Sequence, residues 1–142
     1  MSAEENKAIA RRTVEAINAG DWSLFETLIA PDDVEHSVPP GMPPTRETAK
    51  QFLTMLRAAF RDLQYTIEDV IAEGDRVVQR ATGRGTMKGE FPGMPATGKS
   101  AAWGEIHIVR LKDGKVVGHW SNVDQLGMLQ QLGLAPVPGQ GG

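Results

Sequence analysis

The sequence predicts an α+β fold in which a curved antiparallel sheet wraps against helices, leaving a cone open at one end. Two observations predict it. Apolar stripes at three- and four-residue spacing fill the chain up to Phe60, and strand-like alternation then recurs from Leu63 to Val123 with turn signals between the runs. Helices first and consecutive strands afterwards belong to an α+β arrangement, not to alternating βαβ units. A chain of 142 residues is one domain by size, with room for one core and one small-molecule cavity.

The first helix is expected over Glu4 to Asn18, where Ile9, Thr13, Ala16 and Ile17 form a stripe that Ala19-Gly20 ends. Asp21 caps a short second helix carrying Trp22, Phe25, Leu28 and Ile29, which stops before Pro31. Val34 to Val38 reads as a strand with Val34, His36 and Val38 on one side, and Asp32 and Asp33 before it read as ordinary solvent-facing acids. The proline-rich run from Pro39 to Pro44 cannot continue a ladder and forms a stiff rim loop. Thr45 caps a third helix, Arg46 to Phe60, with Ala49, Phe52, Leu53, Leu56 and Phe60 as its buried stripe.

Strands follow from Leu63 to Ala72 and, after Gly74-Asp75, from Arg76 to Met87. The segment from Lys88 to Gly98 holds prolines, glycines, Phe91 and Met94, as a fixed loop would that places apolar side chains over a cavity. Glycines at 83, 85, 89 and 104 let the sheet bend or approach a ligand. A last helix spans Gln125 to Leu132 with Asp124 as its cap, so residues 1–133 form the domain and 134–142 a flexible tail.

The chain centres on the stretch from Lys99 to Asp124. Ala101, Trp103, Glu105, His107, Val109 and Leu111 alternate onto one face, Lys112-Asp113-Gly114 reverses the chain, and Lys115 to Val123 runs back. A two-residue Asp113-Gly114 turn pairs His107 with Trp120. A three-residue bulged loop pairs His107 with His119 and Glu105 with Ser121; it is preferred because Val117 and Val123 then share a side with Val109 and Leu111.

Glu105 and His107, about 7 Å apart along one strand face, are the candidate acid–base pair. Enclosure raises a carboxylate pKa, and an imidazole titrates near neutrality. A buried histidine satisfied by its neighbour is the plain structural alternative. His36, Trp103, His119, Ser121, Phe91 and Met94 are candidate substrate-binding residues. Three histidines with Glu105 invite a metal reading, but none has a recognised ligand spacing, so no metal is expected. LKDGK and ATGKS lack the spacing of phosphate loops or dinucleotide fingerprints, and no cofactor is expected. Ser121 lies in no nucleophile elbow. Arg80 and Arg84 share a strand face as stacked surface charges or an anion site.

Net charge is −3 (15 basic against 18 acidic residues) with no basic block, which argues against nucleic acid as a partner. Cysteine is absent, excluding disulfides and thiolate chemistry and matching a reducing cytoplasm. The N-terminal residues mix acids and bases with no apolar core, so no signal peptide is expected there, and no apolar run approaches the ~20 residues needed to cross a membrane.

Several runs carry a resemblance: Phe60-Arg-Asp-Leu63, IEDVIAEGDRVVQR from Ile67, GEFPGMPATGK from Gly89, HIVRLKDGKVVGHW from His107, Asp124-Gln-Leu126 and QQLG from Gln130. Together they resemble the SnoaL-like polyketide cyclases, or ester cyclases, a family named for nogalonic acid methyl ester cyclase. The resemblance implies a nuclear-transport-factor-2-like (cystatin-like) α+β barrel, a homodimer or homotetramer, and a hydrophobic small-molecule substrate held inside the cone. It also implies cofactor-free aldol ring closure, in which an aspartate takes a proton while a histidine and a glutamine place the carbonyls. That aspartate falls on Ser121, the glutamine on Glu105 and the histidine on His107. A serine is too weak a base to inherit the role, so Glu105 is expected as base and His107 as the group polarising a carbonyl. Relatives resembling aromatic polyketide hydroxylases make cofactor-free hydroxylation the alternative, and a non-catalytic hydrophobic-ligand binder is the third.

Overall fold

In a computed structural model, which describes residues 1–139, the elements in chain order are helices α1 (Ala3–Ala19) and α2 (Trp22–Leu28), strand β1 (Ile29–Glu35), helix α3 (Arg46–Ala59), strands β2 (Gln64–Glu73), β3 (Arg76–Thr86), β4 (Ser100–Lys112) and β5 (Lys115–Val123), and helix α4 (Gln125–Gln131). Capping side chains set the helix starts. Asp21, Thr45 and Asp124 accept from Leu24, Thr48 and Gly127 backbone N–H groups, as the sequence predicts. Ser2 and Glu5 form a reciprocal capping box that begins α1 one residue earlier than expected. Gly20, at φ 66°, ends α1 in the left-handed conformation that glycine adopts freely. No helix among the described residues is long and apolar enough to cross a membrane.

The sheet order is β1-β5-β4-β3-β2. Strands β2 to β5 form an antiparallel meander, and β1 adds to the β5 edge in parallel. The first strand therefore departs from the Val34–Val38 reading. It starts at Ile29, where α2 has already ended, and passes through Pro31. A register shift between Ile29 and Val34 takes up Pro31 and Asp32, so the missing proline N–H falls where no ladder bond is required.

The hairpin turn combines features of both sequence readings. Asp113 (φ 52°) and Gly114 (φ 77°) form a two-residue turn pairing Lys112 with Lys115. A register shift past Leu111–Val116 then adds one residue on β5, so His107 pairs with Ser121, and Glu105 with Val123. The extra residue keeps His119 and Ser121 on the face of His107, as the bulged loop requires, while moving every partner two positions along. The predicted Glu105–Ser121 and His107–His119 pairings do not form.

Inward-facing residues make a layered interior. Ile9, Ala10, Phe25, Leu28, Val77, Val109, Leu111 and Val116 pack one apolar cluster, and Leu56, Phe60, Met87, Trp103 and Leu132 belong to a second. Along β4 the inward face runs Ala101, Trp103, Glu105, His107, Val109, Leu111: apolar, polar, apolar. Buried Asp33, Glu35, Gln79 and Glu105 add polar groups to the interior. Leu56 of α3 and Phe60, which caps its C-terminal end, are buried as predicted, while Phe52 is exposed and meets Phe91 edge-on. The tail expected over 134–142 reaches beyond the described residues, in which 140–142 are not included; Leu134 N–H still donates to Leu129 O.

Candidate active site

A continuous chain of hydrogen bonds runs through the interior, crossing three strands. On β4, Trp103 Nε1–H donates to Glu105 Oε2 over 2.7 Å, and Glu105 Oε1 lies 2.6 Å from His107 Nε2. His107 Nδ1 is 2.8 Å from His119 Nε2 on β5, the two rings nearly parallel with centroids 5.1 Å apart. His119 Nδ1 is 3.0 Å from Glu35 Oε1 on β1, a residue it faces in the parallel ladder. The carboxylates form the buried ends: the side chains of Glu105 and Glu35 are 6 % and 9 % exposed, against 23 % and 24 % for His107 and His119. Strand geometry explains the assembly. Alternation puts Trp103, Glu105 and His107 on one face, and parallel pairing of β1 brings Glu35 onto it from 84 residues away.

Burial dominates the electrostatics. It raises the Glu35 carboxyl from its ordinary value, against the opposing pull of Asp33 and His107. It pushes His119 below its ordinary value, while Asp33 and Glu105 act the other way. Asp33, behind Glu35, is pushed up to about 8, first by burial and then by the Glu35 carboxyl, with His119 and His36 opposing. The Tyr65 phenol is driven well above its ordinary range by burial and by the facing Glu105 carboxylate. Two buried groups lack a hydrogen-bond partner among the described residues: both oxygens of Asp33, and Nε2 of Gln79, which pairs directly with His107 across β3 and β4. Unsatisfied buried polar groups are costly and rare.

The structure brings together Glu105, His107, His119 and Trp103 from the predicted set and places Ser121 opposite His107. Trp103 is 3 % exposed, so it clamps Glu105 rather than presenting a flat surface to a ligand. His36 is excluded from the cluster. It follows the end of β1, stacks on Trp120 at 4.3 Å and takes no part in the side-chain hydrogen-bond chain, so the three histidines do not converge. Phe91 and Met94 are joined by a bridge within the 88–98 loop and line an open groove of about 530 Å³ with Met55, Ala58, Glu90, Pro92, Gly93 and Pro95. That groove lies between the loop and α3 and includes neither Glu105 nor His107. The loop is held on α3 by the Gly89 N–H donating to Ala59 O, and a side chain at Gly89 would meet Ala58 O.

Asp33, Glu35, Gln79 and Tyr65 were not among the predicted site residues. For Glu35 and Asp33 the sequence signal is their two-residue spacing, which puts them on one strand face; the apolar Val34 and Val38 pointed to the other face instead. Arg80 is occupied by Asp69 at 2.6 Å on the exposed face, and Arg84 by Thr66, which makes them surface contacts.

The family model described as SnoaL-like polyketide cyclase matches residues 7–132. Aklanonic acid methyl ester cyclase DnrD of Streptomyces peucetius is 34 % identical over 131 residues, covering 88 % of this chain and 88 % of that protein. Nogalonic acid methyl ester cyclase of Streptomyces nogalater is 29 % identical over 127 residues, 84 % of this chain and 91 % of that one. Among solved structures, AclR of Streptomyces galilaeus, for which a hydroxylase role has been suggested, superposes with a TM-score of 0.86 at 32 % identity, covering 98 % of this chain and 91 % of AclR. With the curved sheet, the enclosed carboxylate–imidazole chain and these matches in hand, the chain belongs to the SnoaL-like polyketide cyclase family.

Proposed function

We propose that the protein catalyses cofactor-independent intramolecular aldol cyclisation of a polycyclic aromatic polyketide or a similar hydrophobic carbonyl compound. The observation that carries this reading is the environment of Glu105, a buried carboxylate fixed by Trp103 Nε1–H and His107. An ionised carboxylate has about four lone-pair positions, and these two contacts leave acceptor capacity free. His107 has none to spare, because both of its ring nitrogens are engaged. Glu105 is therefore the base that takes a proton from a carbon flanked by carbonyls. Ser121 cannot supply that base from its position opposite His107.

The same count changes the role expected of His107. With both nitrogens inside the chain, it orients and electrostatically balances Glu105. Gln79 Nε2, a buried donor without a partner beside His107, is better suited to donate to the carbonyl oxygen on which enolate charge develops. After the carbon–carbon bond forms, the proton on Glu105 passes to the aldolate oxygen and the carboxylate is regenerated. The relatives named as ester cyclases of aklanonic and nogalonic acids support the substrate class. A second reading, hydroxylation of an electron-rich phenol after deprotonation by the same carboxylate, is favoured by the likeness to AclR.

Incubation with anthracycline-type methyl ester precursors, with and without oxygen, separates the readings. A ring-closed product of unchanged mass, or less one water, supports cyclisation; oxygen uptake with added oxygen supports hydroxylation; binding without turnover leaves a ligand carrier. Glu105→Gln is expected to lower turnover at least about 100-fold, the lower range for a positioned base, and unchanged turnover would end the assignment.

A further inference from the structure

Three hydrogen bonds join Glu105, His107, His119 and Glu35 end to end, and each has room for one proton. We propose that these four residues are a proton wire in which two carboxyls share one negative charge, with His119 and Glu35 as positioning residues that keep the charge on Glu105. The wire rests on the acid–base reading above only for its catalytic consequence.

Two arrangements satisfy every bond. In the first, Glu35 O–H donates to His119 Nδ1, His119 Nε2–H donates to His107 Nδ1, and His107 Nε2–H donates to the Glu105 carboxylate. In the second, Glu105 O–H donates to His107 Nε2, His107 Nδ1–H donates to His119 Nε2, and His119 Nδ1–H donates to the Glu35 carboxylate. Passing from the first to the second moves each of three protons across its own hydrogen bond, in the same direction. Both rings begin and end neutral, no atom enters or leaves, and one unit of charge travels from Glu105 to Glu35.

The surroundings favour the first arrangement. Burial of Glu35 on β1 disfavours charge at that end, outweighing the opposite pull of Asp33, which itself holds a proton. At the other end, Trp103 Nε1–H donates directly to Glu105, which favours charge there. Tyr65 on β2 faces Glu105, Gln79 on β3 pairs with His107, and His36 acts on Asp33 from beyond the end of β1. Burial, which raises the Glu35 carboxyl and lowers the His119 imidazole, acts in the same direction as this geometry. The wire makes Glu35, remote from Glu105 and touching it only through two imidazoles, part of what holds the base ready.

Nitrogen-15 spectra of the histidine rings in the full-length protein read the wire without any substrate. His107 and His119 are expected to carry their proton on Nε2 at neutral pH. Raising the pH until Glu35 ionises should flip His119 to the Nδ1–H form, because a Glu35 carboxylate needs a donor. Glu35→Gln, whose amide N–H can still donate to His119 Nδ1 but cannot ionise, should hold His119 in the Nε2–H form across the same range. Nδ1 protonation of either ring in the neutral wild type would overturn the placement of the charge on Glu105, and a His119 flip that survives Glu35→Gln would overturn the wire. The wild-type spectra alone decide the first point should the variant fail to fold. Loss of the wire on this evidence leaves Glu105 as base; unchanged turnover in Glu105→Gln removes the base and leaves the tautomers standing.

Discussion

At the scale of single residues, the site is costly to the fold, and the cost is measurable. Asp33 is raised from 3.8 to about 8 by burial and by Glu35, so the native state holds a proton there that the unfolded chain releases above about pH 4. Its contribution to stability is complete below the unfolded pKa and is lost as pH climbs through the folded one. Asp33→Asn cannot ionise, so the variant should be more stable than wild type at pH 7 by roughly 2–5 kcal/mol, the difference vanishing near pH 4. Urea denaturation across this pH range tests it, and a parallel pH dependence in both proteins contradicts it. Gln79 makes a similar trade, since Nε2 is buried with nothing to receive its hydrogens. Gln79→Met is expected to be neutral or up to about 1–2 kcal/mol stabilising, because a buried unsatisfied amide costs that much. It should also slow turnover about tenfold or more, through loss of the carbonyl donor. A drop in stability together with full activity would remove Gln79 from the site.

Individual elements show which features were legible in the sequence and which were hidden. On β4, Ala101, Trp103, Val109 and Leu111 bracket Glu105 and His107 with apolar residues, so the hydrophobic phase of the strand reveals which way the polar pair points. On β1 the same rule misleads. Val34 is 41 % exposed, while Asp33 and Glu35 point inward, because the end of β1 borders the polar layer and only its start, at Ile29, joins an apolar cluster. The partners of Glu35 lie on β5, and no local spacing announces a contact with His119 at a sequence distance of 84. The β4–β5 register was ambiguous because a single extra residue decides it, and Asp113-Gly114 fits a tight turn with or without a bulge beyond it. The capped helices were legible since Asp21, Thr45 and Asp124 act on residues three positions away. Gly83 on β3 gives an element-level test. A methyl group there would lie 2.7 Å from the Trp103 ring, which must shift and loosen its grip on Glu105. Gly83→Ala is expected to cost about 1–3 kcal/mol by overpacking and to lower turnover as well; thermal melts and rates that match wild type would contradict the clamp.

For the whole molecule, the arrangement of layers links fold to chemistry. Two apolar clusters occupy the two ends of the concave face and hold the sheet against the helices, while the polar chain between them buries carboxyl and imidazole groups among partners from β1, β4 and β5. Placing Glu105 within the layer, held by Trp103 and joined through two imidazoles to Glu35, makes its protonation a property of the assembled sheet and not of one strand. The central claim is that Glu105, so placed, removes a proton from carbon. The most direct measurement is solvent deuterium incorporation at the activated carbon of an anthracycline-type β-dicarbonyl ester, followed by proton NMR in the presence of the protein. Wild-type protein should accelerate exchange at that carbon, and folded Glu105→Gln should lose most of the acceleration; exchange that proceeds equally fast with both proteins would contradict the account.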